Sequence, residues 1–278
     1  MAIIKRILGT LTILCILLLL TCLSAAEILR LNVPSAILMD MTTGRILFSQ
    51  NADEPLQPAS ITKVLSLYLA DEAIREGRVR PTDQVKISRN AGRTGGSKMF
   101  IQAGSEIPLE ELLKGMAVVS ANDASVAVAE YIGGGVERFV EQMNRKAREL
   151  GMNRSFFKNP NGLPAKGQFT TARDMLILAS DYLRRFPESL GLHSQQYYTY
   201  RDITQRNRNN LLRDYPDADG LKTGWVSKAG YHIVATAKRG NTRLIAVVMG
   251  AKTYGIRARE TERLLDEGFQ MVREPRQG

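Results

Sequence analysis

Two hairpin patterns stand near opposite ends of the chain, and helix patterns fill most of the sequence between them. Residues 35–40 and 45–48 flank the turn Thr42-Thr43-Gly44, and residues 231–237 and 244–249 flank a turn at Arg239-Gly240-Asn241. Short apolar runs on either side of a glycine turn are typical of paired antiparallel strands. A lone hairpin cannot bury its apolar face, so the two are expected to share a sheet. The pattern predicts an α/β fold, with one antiparallel sheet built from both chain ends, flanking helices and an inserted helical lobe.

The helix predictions rest on apolar periodicity and on glycine or proline at the ends. The stretch 83–104 is polar and rich in glycine, and it predicts a loop with short extended pieces. The predicted helices begin at Ser60 with Gly77 as the C-cap, and then cover 108–118, 123–132, 136–150, 171–183 and 259–272.

The N-terminus predicts export. Lys5 and Arg6 precede an apolar run over 7–23, and Ser24-Ala25-Ala26 supplies small residues before Glu27. This pattern is typical of a secretory signal peptide. We therefore expect a signal peptide at 1–26, a single peptidase-like domain at 27–278, and a soluble protein in the periplasm or another extracytoplasmic space. The alternative is an uncleaved membrane anchor, which leaves membrane contact open.

Cysteine and histidine usage narrows the chemistry. Both cysteines, Cys15 and Cys22, lie in the leader, so the mature chain has no thiol nucleophile, thiolate ligand or disulfide. Only His193 and His232 remain, which favours structural histidines over a metal site, and we expect neither metal nor cofactor. The formal net charge of +10 favours anionic partners, but export argues against nucleic acid. The basic residues are dispersed apart from one cluster, which comprises Arg201, Arg206, Arg208 and Arg213.

Three short strings carry the predicted chemistry. They are Ser60-Ile61-Thr62-Lys63, then Ser120-Ala121-Asn122, then Lys222-Thr223-Gly224. Each alone has a plain structural explanation, namely a helix cap for the first two and a turn for the third. Together, in this order, they form the residue set of an acyl-serine enzyme that uses lysine where a serine protease uses histidine.

The first string predicts a nucleophile and its base. Ser60 and Lys63 are three residues apart at a helix start, so both side chains share one face and the Ser60 N–H is an unpaired donor. A serine hydroxyl needs a base, and a lysine serves only when its pKa falls far below about 10.4. Burial and a second cation, for which Lys222 is the candidate, lower that pKa.

The other two strings predict the remainder of the site. Ser120 and Asn122 fall between two helix patterns, where Ser120 can relay a proton and Asn122 can hold Lys63 and the substrate amide. Lys222-Thr223-Gly224 precedes an extended segment, and its lysine and threonine suit a carboxylate. Gly224 would let a peptide approach the strand edge, and the Trp225 backbone N–H would be a second oxyanion donor.

With these strings and their neighbours, the chain resembles a D-alanyl-D-alanine carboxypeptidase, a low-molecular-mass penicillin-binding protein of serine peptidase family S11. The resemblance spans roughly Val33 to Phe269. The other matching strings are Thr43-Gly44-Arg45-Ile46-Leu47, Asn51-Ala52-Asp53, Pro58-Ala59, Asn159-Pro160-Asn161-Gly162-Leu163, Arg206-Asn207-Arg208-Asn209 and Gly220-Leu221.

The resemblance implies a penicillin-binding protein/β-lactamase-like fold and a set of roles. Ser60 would be the acyl-ester nucleophile and Lys63 its general base, and Ser120 and Asn122 would complete the catalytic set. Lys222 and Thr223 would receive the terminal carboxylate of a peptidoglycan stem peptide, with Arg208 as a helper. The net reaction would remove the last D-alanine, and penicillins would acylate the same serine as inhibitors.

Two departures from the family pattern bear on these expectations. Ala121 stands where many members have glycine, and only Arg273 to Gly278 follow the predicted closing helix, so neither a C-terminal β domain nor an amphipathic anchor is expected. The alternatives are a D,D-endopeptidase that cuts cross-links with the same residues, a class A β-lactamase, and a non-catalytic wall-binding protein. The β-lactamase lacks support because no Glu-x-x-Leu-Asn string lies between Ser120 and Lys222.

Overall fold

A computed structural model describes residues 29–273, and the predicted leader at 1–26 lies outside them. From Leu31 onward these residues belong to one compact unit. The strands are β1 (Ser35–Asp40), β2 (Ile46–Gln50), β3 (Gln84–Lys86), β4 (Glu106–Pro108), β5 (Tyr197–Tyr200), β6 (Ile203–Arg206), β7 (Ala218–Val226), β8 (Gly230–Arg239) and β9 (Thr242–Ala251).

The helices fill the middle of the chain and close it. Two short 3₁₀ turns, Ala59–Thr62 and Pro187–Ser189, precede helices. The helices are α1 (Lys63–Arg75), α2 (Arg89–Arg93), α3 (Leu109–Val118), α4 (Asn122–Gly133), α5 (Val136–Glu149), α6 (Ala172–Arg185), α7 (Leu190–His193), α8 (Leu211–Asp214) and α9 (Tyr254–Arg273).

The main sheet joins the two ends of the chain, as the hairpin patterns predict. Its strand order is β2-β1-β9-β8-β7, and every neighbouring pair is antiparallel. The register of β1 on β9 pairs Ser35 with Met249 and Asp40 with Leu244. This order leaves β7 at one edge of the sheet, where only one side of the strand is paired.

The sheet is covered on both faces. Ile37 and Val247 belong to the core that includes the buried side chains of α1 and α6. Leu38 and Leu244 point the other way, because successive strand residues face opposite sides, and they meet α9 at Gly268. Any side chain at Gly268 would collide with them, since its Cβ would lie 2.4 Å from a Leu38 methyl carbon. Helix α1 is thus packed between the sheet and the helices of the middle of the chain.

Several predicted bounds differ from the structure. The polar stretch 83–104 includes a short helix, α2, which Ser88 caps by accepting a hydrogen bond from the Ala91 N–H at 3.0 Å. The closing helix begins at Tyr254 rather than at Arg259. The hairpin of β5 and β6 has no counterpart in the predictions. Among residues 29–273, none of the helices combines the length and apolar character needed to cross a bilayer.

Candidate active site

Ser60 lies where a 3₁₀ turn runs directly into helix α1. The turn covers Ala59–Thr62, so the α-helix begins at Lys63 and not at Ser60 as predicted. Ala59 has a φ of +50°, which turns the chain sharply before the serine. Ser60 is half-buried and lines a cleft of about 710 Å³. A tight turn of the backbone therefore presents the serine to an open cleft.

Lys63 is completely buried, and its Nζ makes three contacts. Nζ lies 3.1 Å from Ser60 Oγ, 2.7 Å from Asn122 Oδ1 and 2.7 Å from the Asn161 carbonyl oxygen. The orientation of the Asn122 amide is fixed because its Nδ2 donates to the Gly95 carbonyl at 2.8 Å. Asn122 Oδ1 and the Asn161 carbonyl can therefore only accept hydrogen bonds from Nζ.

This arrangement suits a neutral amine. A neutral lysine has two N–H donors and one lone pair, and the two acceptors take both donors. The lone pair is left for the third contact, Ser60 Oγ, whose proton it can accept. The geometry thus places a base on the serine hydroxyl without any rearrangement of Lys63.

The surroundings also lower the proton affinity of Lys63. Burial, and after it the charge of Lys222, hold the pKa of Lys63 well below its usual value, against the opposing charge of Asp123. Both causes are those expected from the sequence, where an apolar helix and a second lysine accompany Ser60. A general base of this kind needs a pKa near the operating pH.

The loop from Asn159 to Leu163 supports Lys63 from the other side. Its Pro160 carbonyl accepts hydrogen bonds from the hydroxyls of Ser66 on α1 and Ser125 on α4, at 2.7 and 2.9 Å. Gly162 has a φ of +80°, and a Cβ there would lie 1.8 Å from the Ala59 carbonyl oxygen. This close packing directs the Asn161 carbonyl at Lys63, a role that the sequence string alone does not reveal.

Ser120 lies on the turn between α3 and α4, as predicted, and lines the same cleft as Ser60. It is buried with a φ of +64°, and its Oγ has no hydrogen-bond partner within the described chain. Asp123, in the first turn of α4, also holds a neighbouring loop. The Asp123 carboxylate accepts hydrogen bonds from the backbone N–H groups of Met99, Phe100 and Ile101 at 3.0 to 3.2 Å. A buried hydroxyl without a partner is thus presented to the cleft by a rigid turn.

The Lys222-Thr223-Gly224 string lies inside edge strand β7 rather than before a strand. Lys222 is buried, its Nζ donates to the Thr223 carbonyl at 3.1 Å, and burial together with Arg208 and Arg257 lowers its pKa to about 7. Thr223 and Trp225 line the cleft, whereas Lys222 is not among the residues that line it.

Gly224 lines the cleft and also has a packing role, while the approach of a peptide at this position stays a prediction. A Cβ at this position would lie 3.0 Å from the Ser60 backbone nitrogen and 3.0 Å from the Ala59 Cβ. The missing side chain therefore lets β7 pack against the turn Ala59–Thr62, called the nucleophile turn below because it carries the predicted nucleophile Ser60. As a result, the Ser60 N–H and the backbone of the edge strand stand side by side at the cleft.

The cleft also contains an arginine that the sequence does not single out. Arg257, one turn into α9, lines the cleft although its side chain is only 4% exposed. Its guanidinium carbon lies 4.7 Å from the centroid of the Tyr254 ring, and its Nε has no partner within residues 29–273. Arg208, the predicted helper, lines the same cleft from an exposed position. No periodicity or motif marks Arg257, since it sits in a helix rich in charged residues.

The two histidines are structural. Both are fully buried, and burial lowers the pKa of each to about 4, so both are neutral. The ring of His193 bonds the Leu221 carbonyl through Nδ1 at 3.1 Å, and His232 Nδ1 accepts from the Gly250 N–H at 2.9 Å. Across residues 29–273, no three His, Asp or Glu side chains gather in a way that would hold a metal ion.

Comparison with known proteins places these residues in a family. A family model described as "D-alanyl-D-alanine carboxypeptidase", peptidase family S11, matches residues 23–253. D-alanyl-D-alanine carboxypeptidase DacF of Bacillus subtilis (strain 168) is 42% identical over 241 residues, which cover 84% of this chain and 61% of that protein. The chain thus spans about three fifths of the length of the curated relatives it matches.

Solved structures confirm the predicted fold. Penicillin-binding protein 5 from Haemophilus influenzae superposes with a TM-score of 0.85 at 40% identity, covering 87% of this chain and 72% of that one. Penicillin-binding protein D2 from Listeria monocytogenes, in its cefotaxime-bound form, gives 0.80 at 30% identity and covers 87% and 98% of the two chains.

An endopeptidase is a more distant relative. The D-alanyl-D-alanine endopeptidase of Escherichia coli (strain K12) is 29% identical over 227 residues, which cover 78% of this chain and 71% of that protein. With its serine, buried lysine and edge-strand string, and with a family model matched over most of its length, the chain belongs to peptidase family S11, the D-alanyl-D-alanine carboxypeptidases.

Proposed function

We propose that this chain is a serine D,D-carboxypeptidase that removes the terminal D-alanine from peptidoglycan stem peptides. The observation that supports this most directly is the contact of Ser60 Oγ with a buried Lys63 whose two other contacts are hydrogen-bond acceptors. That contact supplies an activated nucleophile, and the relatives' names supply the substrate.

In the first half-reaction, Ser60 Oγ attacks the carbonyl of the penultimate D-alanine and its proton passes to Lys63 Nζ. The backbone N–H groups of Ser60 and Trp225 would hold the oxyanion, as pairs of preorganised N–H donors do in acyl transfer. Ser120, whose hydroxyl is unpartnered, would carry a proton to the leaving nitrogen. The C–N bond then breaks, D-alanine leaves and an ester remains on Ser60.

In the second half-reaction, water attacks the ester carbonyl and the same groups act in reverse. The proton of the water passes to Lys63, the ester C–O bond breaks and Ser60 regains its hydroxyl. The stem peptide leaves with one residue fewer. Asn122 keeps Lys63 in place throughout, because its amide is locked by the Gly95 carbonyl.

The terminal carboxylate of the substrate would bind beside β7. Thr223 offers a hydroxyl, and Arg208 and Arg257 offer guanidinium groups that line the cleft. Lys222 does not line the cleft, but Arg208 and Arg257 are near enough to lower its pKa. Its charge would therefore also act on a carboxylate bound between them. A free carboxylate is the feature that distinguishes a carboxypeptidase substrate, so this group of cations favours terminal trimming.

We also propose that the protein is exported and that residues 27–278 act as one peptidase domain after removal of 1–26. The basic start, the apolar run and the small residues before Glu27 support this. Intact mass and N-terminal sequencing of the protein recovered from its native host would test it. A mature chain that begins at Met1 would contradict cleavage.

A fluorescent penicillin tests the acyl-serine chemistry. β-Lactams are expected to acylate Ser60 because they mimic the terminal dipeptide, and the Ser60→Ala variant should not be labelled. Absence of label on the wild-type protein, or its presence on Ser60→Ala, would rule out the proposed nucleophile.

The reaction itself is tested on purified peptidoglycan. With uncross-linked and cross-linked material offered in parallel, mass spectrometry should show release of free D-alanine from pentapeptide stems. Conversion of cross-linked dimers to monomers without release of D-alanine would favour the endopeptidase.

A further inference from the structure

One wall of the active-site cleft is strongly basic. Arg206, Arg208 and Arg257 all line the cleft, and none of the described residues that line it is aspartate or glutamate. Within residues 29–273, none of these arginines has a carboxylate at salt-bridge distance. This is more positive charge than one terminal carboxylate requires.

The three arginines fall into two groups. Arg208 and Arg257 both act on Lys222, where they are the charges that lower its pKa after burial. Arg206 does not belong to that group. Its direct contact is with Tyr197, the residue opposite it in the β5–β6 hairpin.

Arg206 is preorganised by that contact. Its Nη2 donates to the Tyr197 hydroxyl at 3.2 Å, and its guanidinium carbon lies 5.7 Å from the Tyr197 ring centroid. The hairpin is anchored in turn, because the Tyr198 hydroxyl donates to Glu111 at 2.9 Å and Gln205 Nε2 donates to the Lys98 carbonyl at 3.0 Å. The remaining N–H donors of Arg206 are thus held at a defined place on the cleft wall.

The charge of Arg206 is not neutralised by its neighbours. Asp214 acts on it only at longer range, and Arg213 holds the Asp214 carboxylate through two hydrogen bonds of 2.8 Å. The Tyr197 hydroxyl accepts from Arg206 and keeps its own proton available. The planar guanidinium of Arg206, with N–H donors that Tyr197 does not use, matches the shape and the lone pairs of a carboxylate.

We propose that Arg206, oriented by the Tyr197 hydroxyl, forms a second anion subsite, which binds a free carboxylate of the substrate peptide other than the C-terminal one. The inference rests on the proposed function, because it takes the ligand to be a peptide that acylates Ser60. The enzyme would then prefer stem peptides that carry a carboxylate on the residue before D-Ala-D-Ala over peptides in which that carboxylate is amidated. Because Arg206 is exposed, we expect a preference of about three- to tenfold, which weakens as salt is added.

The test uses two peptides that end in D-Ala-D-Ala and differ only in whether the side-chain carboxylate of the preceding residue is free or amidated. With the wild-type protein, the free acid should have a KM about three- to tenfold lower at equal kcat, as for an interaction present in both ground and transition states. Arg206→Gln should make the two peptides equivalent. Arg201→Gln is the matched control, since Arg201 lies on the same hairpin, stacks on Tyr200 and does not line the cleft.

Binding gives a readout that does not depend on turnover. Trp225 is the single tryptophan of the chain, it lines the cleft and it is 56% exposed, so its fluorescence should report peptide binding. In a Ser60→Ala background, the Kd should favour the free acid by about the same factor as KM, and the added Arg206→Gln change should remove the difference.

The outcomes separate this inference from the proposed function. Equal KM and Kd for the two peptides in the wild type, or a preference that survives Arg206→Gln, would overturn the anion subsite. A binding preference that depends on Arg206 would support it even if no D-alanine were released and no penicillin label appeared. Failure to release D-alanine and to take up the penicillin label would count against the proposed function and not against the anion subsite.

Discussion

Lys63 and Asn161 are joined by a hydrogen bond of 2.7 Å from the lysine Nζ to a backbone carbonyl. The carbonyl cannot be removed by changing the Asn161 side chain, so the orientation of the base depends on the path of the main chain between Asn159 and Leu163. The loop is therefore a structural part of the proposed active site.

Replacing Gly162 by alanine should displace the loop and slow acylation. The new Cβ would lie 1.8 Å from the Ala59 carbonyl oxygen, so the nucleophile turn and the loop could not both keep their places. We expect the rate of labelling by a fluorescent penicillin to fall by at least about tenfold, because small displacements of reacting groups are costly.

Gly167 provides the matched control for this change. It has a φ of +79°, close to the +80° of Gly162, but a Cβ there would meet only the end of the Lys158 side chain at 3.8 Å. Gly167→Ala carries the same backbone strain without the collision and should be labelled at nearly the wild-type rate. Equal losses in the two variants would show that strain alone, and not the packing on Ala59, limits the reaction.

Acylation should depend on the protonation of Lys63. Burial, and after it the charge of Lys222, hold its pKa well below the usual lysine value, so the amine loses its proton at a lower pH than an ordinary lysine and becomes protonated as the pH falls. The rate of penicillin labelling should therefore decrease toward acid and rise to a plateau well below pH 10. Lys63→Arg keeps the charge but cannot lose its proton, and we expect it to be at least about 100-fold slower at every pH. A flat wild-type profile down to about pH 5 would contradict a neutral lysine base.

Asn122→Asp should shift that profile to higher pH. It would place a carboxylate about 2.7 Å from Nζ, and an opposite charge at that distance raises the pKa of a lysine. At neutral pH more of Lys63 would then be protonated, and labelling should slow by about tenfold or more. At alkaline pH the variant should recover part of this loss. A uniform loss across the pH range would indicate a positional effect instead.

Lys222→Gln should affect substrates with a free C-terminal carboxylate most. Loss of its charge raises the pKa of Lys63, which slows every substrate, and it also removes positive charge from the carboxylate region. Peptides ending in D-Ala-D-Ala should therefore lose several-fold more kcat/KM than the matching C-terminal amides. Equal losses of kcat/KM for the acid and the amide peptides would show that Lys222 acts only by lowering the pKa of Lys63 and not on the C-terminal carboxylate.

Asp71 should make stability depend on pH. Burial raises its pKa to about 6, although the Tyr182 hydroxyl donates to it at 2.7 Å. The folded state therefore binds the proton more readily than the unfolded state, and this carboxyl destabilises the fold increasingly as the pH rises from about 4 to about 6. Asp71→Asn should increase the free energy of unfolding at pH 7 by on the order of 1 kcal/mol. The melting temperature should therefore be higher for the variant at pH 7 and nearly unchanged at pH 4. A gain of equal size at both pH values would contradict this origin.

The sequence predicts the fold correctly where the chain is amphipathic. The two terminal hairpins and most of the helices have one apolar face, and that periodicity is local in sequence. The hairpin of β5 and β6 was missed because its strands are mostly exposed and bury only Tyr198, so they show no alternation. Helix α9 begins earlier than expected because its first two residues, Tyr254 and Gly255, are exposed and add nothing to the apolar periodicity of the helix.

The sequence identifies those members of the candidate site that act through their side chains. Ser60, Lys63, Ser120 and Asn122 come together as the three strings predict, and Thr223 joins them on the cleft wall. Asn161 contributes a main-chain carbonyl. Every residue has such a carbonyl, so the residue type does not reveal this role. Arg257 was missed because its importance comes from burial against the cleft, a property of tertiary packing.

The β1–β9 pairing has a consequence for how the protein is made. Ser35 and Met249 are partners in the sheet, and Ser60 meets β7 at Gly224. Contacts between such distant parts of a chain form late and slowly. During synthesis, the nucleophile turn and its base leave the ribosome long before the strands that must pack against them. Ser60 can therefore reach the surroundings in which it is proposed to react only after nearly the whole domain has been translated, which delays the proposed chemistry until folding is complete.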